Sequence, residues 1–198
     1  MSFDGADRAA SSSIAGRFGT GRGLIRLLLA HVQVAVGAAK IVAPEPEAIR
    51  RLVFVCQGNI CRSAFAEALA RRRGLASCSF GLSTATGIEA HPPAIEAARL
   101  LGIDLAPHRA TASPDYVPRS GDLLLAMEVR QLDRIAADPR LAGLPRSLLG
   151  LWATPPRPHL HDPYSLSDAY MRTCFEVIDT AVAALDRAFP NARDTKPS

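Results

Sequence analysis

A cysteine and an arginine six residues apart enclose a short polar loop. Residues 53–69 read VFVCQGNICRSAFAEAL, which places Cys56 at the end of an apolar run and Arg62 at the start of a helical pattern. In a turn of this length the backbone amides of residues 57–62 can point inward around one centre, and the positive end of the helix dipole adds to their charge. The loop therefore predicts a binding site for a tetrahedral oxyanion.

The side chains at the two ends of this loop suit nucleophilic attack on such an anion. Amide donors and a guanidinium both favour a thiolate, so we expect Cys56 to be an ionised nucleophile at neutral pH. The planar guanidinium of Arg62 can bind two phosphoryl oxygens at once and stays charged throughout. Ser63 is close enough in sequence to donate a hydrogen bond to the sulfur.

The run CxGNxCRS resembles the phosphate-binding loop of the low-molecular-weight protein tyrosine phosphatases. The matching residues are Cys56, Gly58, Asn59, Ile60, Cys61, Arg62 and Ser63. Two further segments, HDPYS at residues 161–165 and GIDLAPHRA at residues 102–110, resemble other motifs of that family. The similarity extends over residues 51–187.

The resemblance implies three catalytic roles: Cys56 as nucleophile, Arg62 as phosphate ligand and transition-state clamp, and Asp162 as general acid. A phenolate is a poor leaving group unless it is protonated as its bond to phosphorus breaks, which is the task of Asp162. Pro163 would keep Asp162 extended, and Tyr164 would line the mouth against an aromatic ring.

The remaining site residues implied by the resemblance bind or support the substrate. With Tyr164, the substrate-binding set is Gln57, Gly58, Asn59, Ile60, Cys61 and Ser63. Asn59 is expected to brace the loop with help from His108. The resemblance implies no metal and no cofactor.

Two departures from the family pattern bear on loop rigidity. Ala64 stands where the family usually has proline, which removes no reacting group. Residues 81–84, GLST, replace the family's SAGT stretch, so the serine that supports the loop asparagine is expected to be missing or displaced.

The other cysteines leave alternatives open. Cys61 could form a reversible disulfide with Cys56 that protects the nucleophile, or it could be a packed thiol at the helix start. Cys78 and Cys174 are expected to be structural. Because no CxxC pair occurs and the cysteines are few, the thiols indicate a reducing compartment, and we expect a cytoplasmic protein.

From Arg51 onward, short apolar runs alternate with helical stretches, which is typical of parallel strands joined by crossover helices. The fold class expected is α/β, a central parallel sheet flanked by helices on both faces, with the phosphate-binding loop after the first strand. Strands are predicted at residues 52–55, 123–127 and 148–152. Helices are predicted at residues 63–73, 92–102, 129–137 and 167–187, with a rigid proline-rich loop at residues 153–163.

The chain before residue 51 differs in composition. Residues 1–23 are rich in serine, glycine and arginine and predict a flexible tail, whereas residues 24–40 predict an apolar helix covered by protein or lying against a surface. The expected organisation is an extension at residues 1–43, a linker at 44–50, a phosphatase domain at 51–190 and a tail at 191–198.

Composition excludes several classes of protein. With 48% hydrophobic and 21% charged residues among 198, wholesale disorder is not expected. Residues 44–198 are near neutral in charge, so nucleic acid is not an expected partner. The longest charge-free apolar run, residues 27–39, is too short for an integral membrane segment, and acidic residues near the start argue against a signal peptide.

The leading hypothesis is a protein-tyrosine phosphatase that forms a cysteinyl-phosphate intermediate. Its substrate would be a phosphotyrosine protein, and the resemblance suggests a bacterial tyrosine kinase that controls exopolysaccharide synthesis. Two alternatives are an arsenate reductase on the same scaffold, which would need a relay pair of further cysteines, and a phosphate-binding regulatory module without catalysis.

Overall fold

The computed structural model describes residues 13–194 and contains a four-stranded parallel sheet. Its strands are β1 (Arg51–Cys56), β2 (Ser77–Gly81), β3 (Asp122–Ala126) and β4 (Arg146–Leu148). They are ordered β2-β1-β3-β4 across the sheet. The register pairs Val53 with Cys78 on one side and with Leu124 on the other. The two central strands are therefore the first and third in sequence.

Six helices accompany the sheet within the described residues. They are α1 (Ile14–Phe18), α2 (Gly21–Ala35), α3 (Arg62–Arg72), α4 (Pro92–Leu100), α5 (Val129–Ala137) and α6 (Asp168–Ala188). Short 3-10 turns occur at Pro46–Ala48, Ser113–Asp115 and Leu149–Trp152. No helix within residues 13–194 is both long and apolar enough to cross a membrane.

Alternation along the central strands builds a core on each face of the sheet. Leu52 and Phe54 of β1 pack into the cluster that contains α3, α4 and α6, where the rings of Phe65 and Phe175 stack with centroids 4.0 Å apart. Val53 and the other alternate residues of β1 and β3 pack toward α5 and α2. The expected α/β architecture with helices on both faces is confirmed.

The main elements of the domain lie within two residues of their sequence-predicted bounds, but one strand prediction is wrong. Of residues 148–152, only Leu148 belongs to a strand, the end of β4, and the rest form a 3-10 turn. Gly150 packs against the backbone of Arg157, where a Cβ would lie 1.8 Å from the carbonyl oxygen. This close approach bends the chain out of the sheet.

The apolar pattern also gives no indication of β2. This edge strand reads SCSFG, and its first two residues are only half-buried. Its short, mostly polar sequence does not alternate as a strand would, so pairing with β1 is what defines it.

The N-terminal segment differs from the expected tail. Residues 13–23 form α1 and the start of α2, with Ser13 and Thr20 as N-caps, and residues 1–12 lie outside the described part of the chain. The predicted helix at residues 24–40 is shifted to Gly21–Ala35 and stops before Gly37, whose φ of 71° suits only glycine well. Two of the glycines that suggested flexibility, Gly19 and Gly23, instead permit close contacts with the domain.

Helix α2 lies against the domain along one face only. Gly23, Leu27 and Ala30 are its buried residues. The opposite face exposes large aliphatic side chains, namely Ile25, Leu28, Leu29, Val32 and Val36. The helix therefore docks on its own domain through the narrow stripe formed by Gly23, Leu27 and Ala30.

Candidate active site

The loop of residues 57–61 joins β1 to α3 at the carboxyl edge of the sheet. Cys56 is the last residue of β1, and Arg62 is the first residue of α3. Both are almost fully buried, with 2% and 1% exposure. Because the strand and the helix are packed into the core, the cysteine and the arginine are held at fixed positions on either end of the loop.

Two donors of this loop contact the Cys56 sulfur. The Asn59 amide donates to Sγ over 3.2 Å, and the Ser63 hydroxyl oxygen lies 2.9 Å from Sγ. The Ser63 oxygen accepts a hydrogen bond from Asn59 Nδ2 at 2.8 Å, so its own hydrogen is available to the sulfur. Donors directed at a sulfur favour its negatively charged form.

Asn59 braces the loop through both its backbone and its side chain. Its φ of 55° is in the left-handed region, which asparagine tolerates better than most residues. Nδ2 donates to Ser79 Oγ at 2.7 Å, and Oδ1 accepts from the Thr111 amide at 2.8 Å. His108 Nε2 donates to the Asn59 carbonyl oxygen at 2.8 Å. The loop is thus tied to two neighbouring segments.

The serine that supports the loop asparagine is not missing but displaced: it is Ser79, which precedes residues 81–84. Ser79, on β2, receives the Asn59 amide and donates its own hydrogen to Glu67 Oε2 over 2.5 Å. Gly81 lies against the loop, where a Cβ would be 3.0 Å from the Gly58 carbonyl carbon. The supporting serine therefore lies two residues before Gly81, on the edge strand.

Arg62 is surrounded by acceptors. Its Nη1 donates to Glu128 Oε1 and to the Leu160 carbonyl oxygen, each at 2.8 Å, and its Nη2 lies 2.7 Å from Asp162 Oδ2. Burial opposes the charge, but the two carboxylates outweigh it and keep the pKa of Arg62 above its ordinary value. The Nε–H is buried with no hydrogen-bond partner among residues 13–194, so it is available to a bound anion.

Glu128 is a site residue that the sequence argument missed. It lies two residues after the end of β3, at the same edge of the sheet as Cys56, and its side chain is 1% exposed. Burial raises its pKa, but the charge and hydrogen bond of Arg62, with a hydrogen bond from Arg130, lower the pKa to about 2. The available signal was an acidic residue at the carboxyl end of a buried strand, where ligand sites of parallel sheets occur.

Asp162 and Tyr164 come from the loop that precedes α6. Asp162 is 34% exposed on its side chain, and its Oδ1 accepts from the Tyr164 amide at 3.2 Å. Tyr164 is 53% exposed, and its ring lies 4.8 Å from that of His91 at the start of α4. The carboxylate therefore reaches inward to Arg62 while the aromatic ring stands at the rim.

A cavity of about 170 Å³ is lined by most of the site residues that the sequence predicted. Its lining consists of Cys56, Gln57, Gly58, Ile60, Cys61, Arg62, Asp162 and Tyr164. Asn59, Ser63 and His108 are not part of the lining. They hold the loop and the sulfur in place from behind.

The three cysteines other than Cys56 are also reduced in the structure. Burial raises the pKa of the Cys61 thiol above its ordinary value, and it raises the pKa of Cys174 to about 12. Cys61 is both buried at the start of α3 and part of the cavity lining. Both interpretations of Cys61 fit this position, and the disulfide with Cys56 stays a prediction.

Two histidines next to the site do not form a metal centre. The rings of His159 and His161 lie 5.7 Å apart. Within residues 13–194 no group of three or more His, Cys, Asp or Glu side chains is arranged to hold a metal ion.

Comparison with known proteins gives a family match that begins with the first strand of the sheet. The family model for low molecular weight phosphotyrosine protein phosphatase matches residues 51–193. A probable low molecular weight protein-tyrosine-phosphatase, EpsP from Ralstonia nicotianae, is 37% identical over 89 residues, which are 44% of this chain and 61% of that relative. The aligned part thus spans less than two thirds of the relative's length.

Solved structures are similar over a larger share of both chains. The tyrosine phosphatase AmsI of Erwinia amylovora is 28% identical with a TM-score of 0.62, covering 71% of this chain and 93% of that one. The YwlE arginine phosphatase of Geobacillus stearothermophilus is 26% identical with a TM-score of 0.61, covering 70% and 91%. On the match of the family model to residues 51–193, this chain belongs to the low molecular weight phosphotyrosine protein phosphatase family.

Proposed function

We propose that this protein hydrolyses phosphotyrosine in protein substrates through a cysteinyl-phosphate intermediate. The observation that carries the proposal is the convergence of Cys56, Arg62 and Asp162 on one cavity. A nucleophile, an anion ligand and a proton donor are the three groups that hydrolysis of an aryl phosphate ester needs.

The reaction has two steps. In the first, the Cys56 thiolate attacks phosphorus, the bond from phosphorus to the tyrosyl oxygen breaks, and Asp162 gives its proton to that oxygen. In the second, Asp162 takes a proton from water as the water oxygen attacks phosphorus. The sulfur–phosphorus bond then breaks, which releases inorganic phosphate and restores the thiolate.

Arg62 binds the phosphoryl group in both steps. Its free Nε–H and the amides of residues 57–62, apart from the Asn59 amide that donates to Cys56 Sγ, are the donors for the equatorial oxygens. Glu128 holds Nη1 from behind, which fixes the plane of the guanidinium without occupying the cavity. We infer that Glu128 is a positioning residue for Arg62.

The walls of the cavity favour an aromatic leaving group. Ile60 and Tyr164 present apolar surface that fits the face of a phenyl ring. A phosphorylated guanidino group would instead need acceptors for its N–H groups. Asp162 is the one carboxylate among the eight lining residues, and its Oδ2 already accepts from Arg62. Phosphotyrosine is therefore favoured over phosphoarginine.

The arsenate reductase alternative is disfavoured by the other cysteines. A reductase of this kind would pass oxidising equivalents from the loop cysteine to a relay pair of thiols. Burial raises the pKa of Cys61 and Cys174, so neither thiol is a good nucleophile at neutral pH, and Cys78 lies on β2. Thiol-dependent reduction of arsenate by the purified protein would reopen this alternative.

The test is turnover of p-nitrophenyl phosphate and of a phosphotyrosine peptide in the presence of EDTA. We expect hydrolysis of both, and we expect Cys56→Ser to abolish it. The matched control is Cys78→Ser, which changes a half-buried thiol outside the cavity and should keep the wild-type rate. Unchanged turnover in Cys56→Ser would overturn the proposal. Tight phosphate binding without any hydrolysis would support the regulatory module instead.

A phosphoarginine peptide tested beside the phosphotyrosine peptide decides the substrate class. Faster hydrolysis of phosphoarginine would overturn the choice of phosphotyrosine while leaving the cysteine mechanism intact.

The physiological partner proposed is a bacterial tyrosine kinase whose autophosphorylation controls exopolysaccharide synthesis, and the compartment proposed is the cytoplasm. A nucleophilic thiol needs a reducing environment, which supports this compartment. Asp162→Ala should retain the phosphorylated substrate, so a pull-down from a cell lysate with this variant, compared with wild type, would identify it. Recovery of no phosphotyrosine protein would count against the kinase.

A further inference from the structure

The N-terminal segment contacts the loop that carries Asp162. Residues 13–35 lie outside the family match, which begins at residue 51. Two hydrogen bonds join the segment to the loop: His161 Nε2 lies 3.2 Å from Thr20 Oγ1, and Arg157 Nη1 donates to the Arg17 carbonyl oxygen at 2.9 Å. Arg157 also lies over the Phe18 ring, 5.1 Å from its centroid.

The Thr20 hydroxyl contacts both the first turn of α2 and the His161 ring. Thr20 Oγ1 accepts from the Gly23 amide at 3.0 Å. With one hydrogen and a second lone pair, it can donate to His161 Nε2 or accept from it, so the contact forms with either tautomer of the imidazole. The Thr20 hydroxyl thus caps α2 and holds the imidazole at the same time.

The His161 ring is also packed closely against two glycines of the segment. A Cβ on Gly19 would lie 2.9 Å from His161 Cδ2, and one on Gly23 would lie 3.1 Å from the same atom. On the other side, Tyr170 Oη donates to the His161 carbonyl oxygen at 3.1 Å. His161 is therefore held through its ring by the N-terminal segment and through its backbone by α6.

We propose that Thr20 is a positioning residue for Asp162, acting through His161, so that the N-terminal segment is part of the catalytic architecture. The proposal rests on the proposed function, in which Asp162 protonates the leaving group. Since Asp162 follows His161 directly, movement of the His161 backbone displaces the carboxylate. Leu160 is anchored separately, because its amide donates to the Met127 carbonyl oxygen at 2.9 Å and its carbonyl accepts from Arg62.

A displaced general acid has a kinetic signature that simple loss of stability does not. Protonation matters greatly when the leaving group is basic, as in phenyl phosphate, and little when it is acidic, as in 2,4-dinitrophenyl phosphate. The ratio of kcat/KM for these two substrates reports how well Asp162 is placed. Partial unfolding would lower both values by the same factor.

The test uses the full chain and the variants Thr20→Val and His161→Phe. We expect each to lower kcat/KM for phenyl phosphate about tenfold, a part of the range for general acid catalysis, and to change the value for 2,4-dinitrophenyl phosphate less than about twofold. Thr20→Ser keeps the hydroxyl and should restore the wild-type ratio. Asp162→Asn gives the ratio of the two kcat/KM values that is expected when the general acid is lost completely.

His161→Phe guards against an effect of the helix cap alone, because it leaves the bond from Gly23 to Thr20 in place. Val32→Thr, on the exposed face of α2, is the matched control and should leave both substrates unchanged. Hydrogen exchange of residues 157–164 gives a readout independent of turnover, and we expect faster exchange in Thr20→Val.

The outcomes separate the two proposals. Suppose that the wild type hydrolyses both substrates but the variants have the same ratio of kcat/KM values and the same hydrogen-exchange rates as the wild type. The role of Thr20 is then overturned, and the phosphatase function stands. If the wild type hydrolyses neither substrate, the proposed function and this inference fall together.

Discussion

The Nη2 atom of Arg62 lies 2.7 Å from Oδ2 of Asp162. The proposed phosphate ligand and the proposed general acid are thus ion-paired with each other across the cavity. A phosphoryl group would bind the same guanidinium, so it competes with the carboxylate for it. Substrate binding therefore frees Asp162 from the ion pair, so that the carboxylate can take up a proton from solvent and give it to the leaving-group oxygen.

This competition predicts opposite effects of Asp162→Asn on catalysis and on phosphate binding. Loss of the acid should lower kcat/KM for phenyl phosphate by about 10²–10⁴. Inorganic phosphate should bind about fivefold more tightly, because a partly exposed ion pair worth about 1 kcal/mol no longer competes for Arg62. The inhibition constant of phosphate, measured at pH 7 with p-nitrophenyl phosphate as substrate, reports the second effect.

Asp168→Asn is the control for a general change in charge, since Asp168 lies in the first turn of α6 and is not paired with Arg62. Asp168→Asn should leave kcat/KM for phenyl phosphate and the inhibition constant of phosphate near their wild-type values. Weaker phosphate binding in Asp162→Asn would contradict the competition.

Ser79→Ala tests the support behind the loop. The substitution leaves the Asn59 amide and the Glu67 carboxylate each without one buried partner, which should cost about 2 kcal/mol in the free energy of unfolding. Because Asn59 orients Ser63 toward the sulfur, kcat/KM should fall about tenfold as well. Urea denaturation and turnover of p-nitrophenyl phosphate measure the two effects.

Ser77→Ala on the same strand provides the comparison. Its hydroxyl donates to the Glu67 carbonyl oxygen at 3.3 Å, outside the chain of contacts that reaches Cys56. We expect a change in stability within about 0.5 kcal/mol and unaltered turnover. Equal effects of the two substitutions would show that Ser79 has no special role in the site.

The chemistry of the loop could be predicted because its residues are contiguous. Cys56 and Arg62 are brought together by a single turn between one strand and one helix, so their spacing in sequence determines their geometry. Glu128 and Ser79 reach the same place from other strands, and only the strand order β2-β1-β3-β4 makes them neighbours. No local pattern around either residue reveals its partner.

The N-terminal segment shows a different limit of prediction from sequence, namely what amino-acid composition can indicate. Glycine and serine at residues 13–23 are typical of flexible chain when nothing packs on them, and α1 has only five residues. Here Gly19 and Gly23 are places where His161 approaches the backbone, a contact over about 140 residues of sequence. Composition cannot distinguish a glycine that loosens a chain from one that admits a neighbouring ring.

Glu128→Gln should reduce stability in a pH-dependent way. The pKa of Glu128 is about 2 in the folded protein and 4.5 ordinarily, so its ionised form stabilises the fold above pH 4.5, and this stability is lost as the pH falls toward 2. At pH 7 the variant should lose about 2 kcal/mol of unfolding free energy, because Arg62 is left with an uncharged partner. Denaturation in urea at pH 7 and pH 3 measures the difference.

The difference in unfolding free energy between wild type and Glu128→Gln should be smaller at pH 3 than at pH 7. An exposed carboxylate gives the control: Glu96→Gln removes the partner of Arg99 on the surface of α4 and should leave stability unchanged within error. A gap that stays constant with pH would mean that the ionised form of Glu128 is not what stabilises the fold.

The free energy of unfolding should also depend on pH through His159, over a higher pH range than through Glu128. Its side chain is buried beside Arg62, Arg26 and His161, and burial lowers its pKa from 6.5 to about 4 even though the Glu128 carboxylate opposes this. The folded protein therefore binds this proton less readily than the unfolded chain, so stability is complete above pH 6.5 and declines as the pH falls toward 4.

Between pH 7.5 and pH 5 the wild type should lose about 2 kcal/mol of unfolding free energy through His159. His159→Phe keeps a ring of similar size and cannot titrate, so its stability should change less over the same interval. Burial lowers the pKa of His161 too, so some dependence on pH should remain in the variant. Urea denaturation at several pH values and constant ionic strength gives the slope of unfolding free energy against pH for each protein. Equal slopes for wild type and His159→Phe would show that the buried imidazole is not the group that destabilises the fold at pH 5.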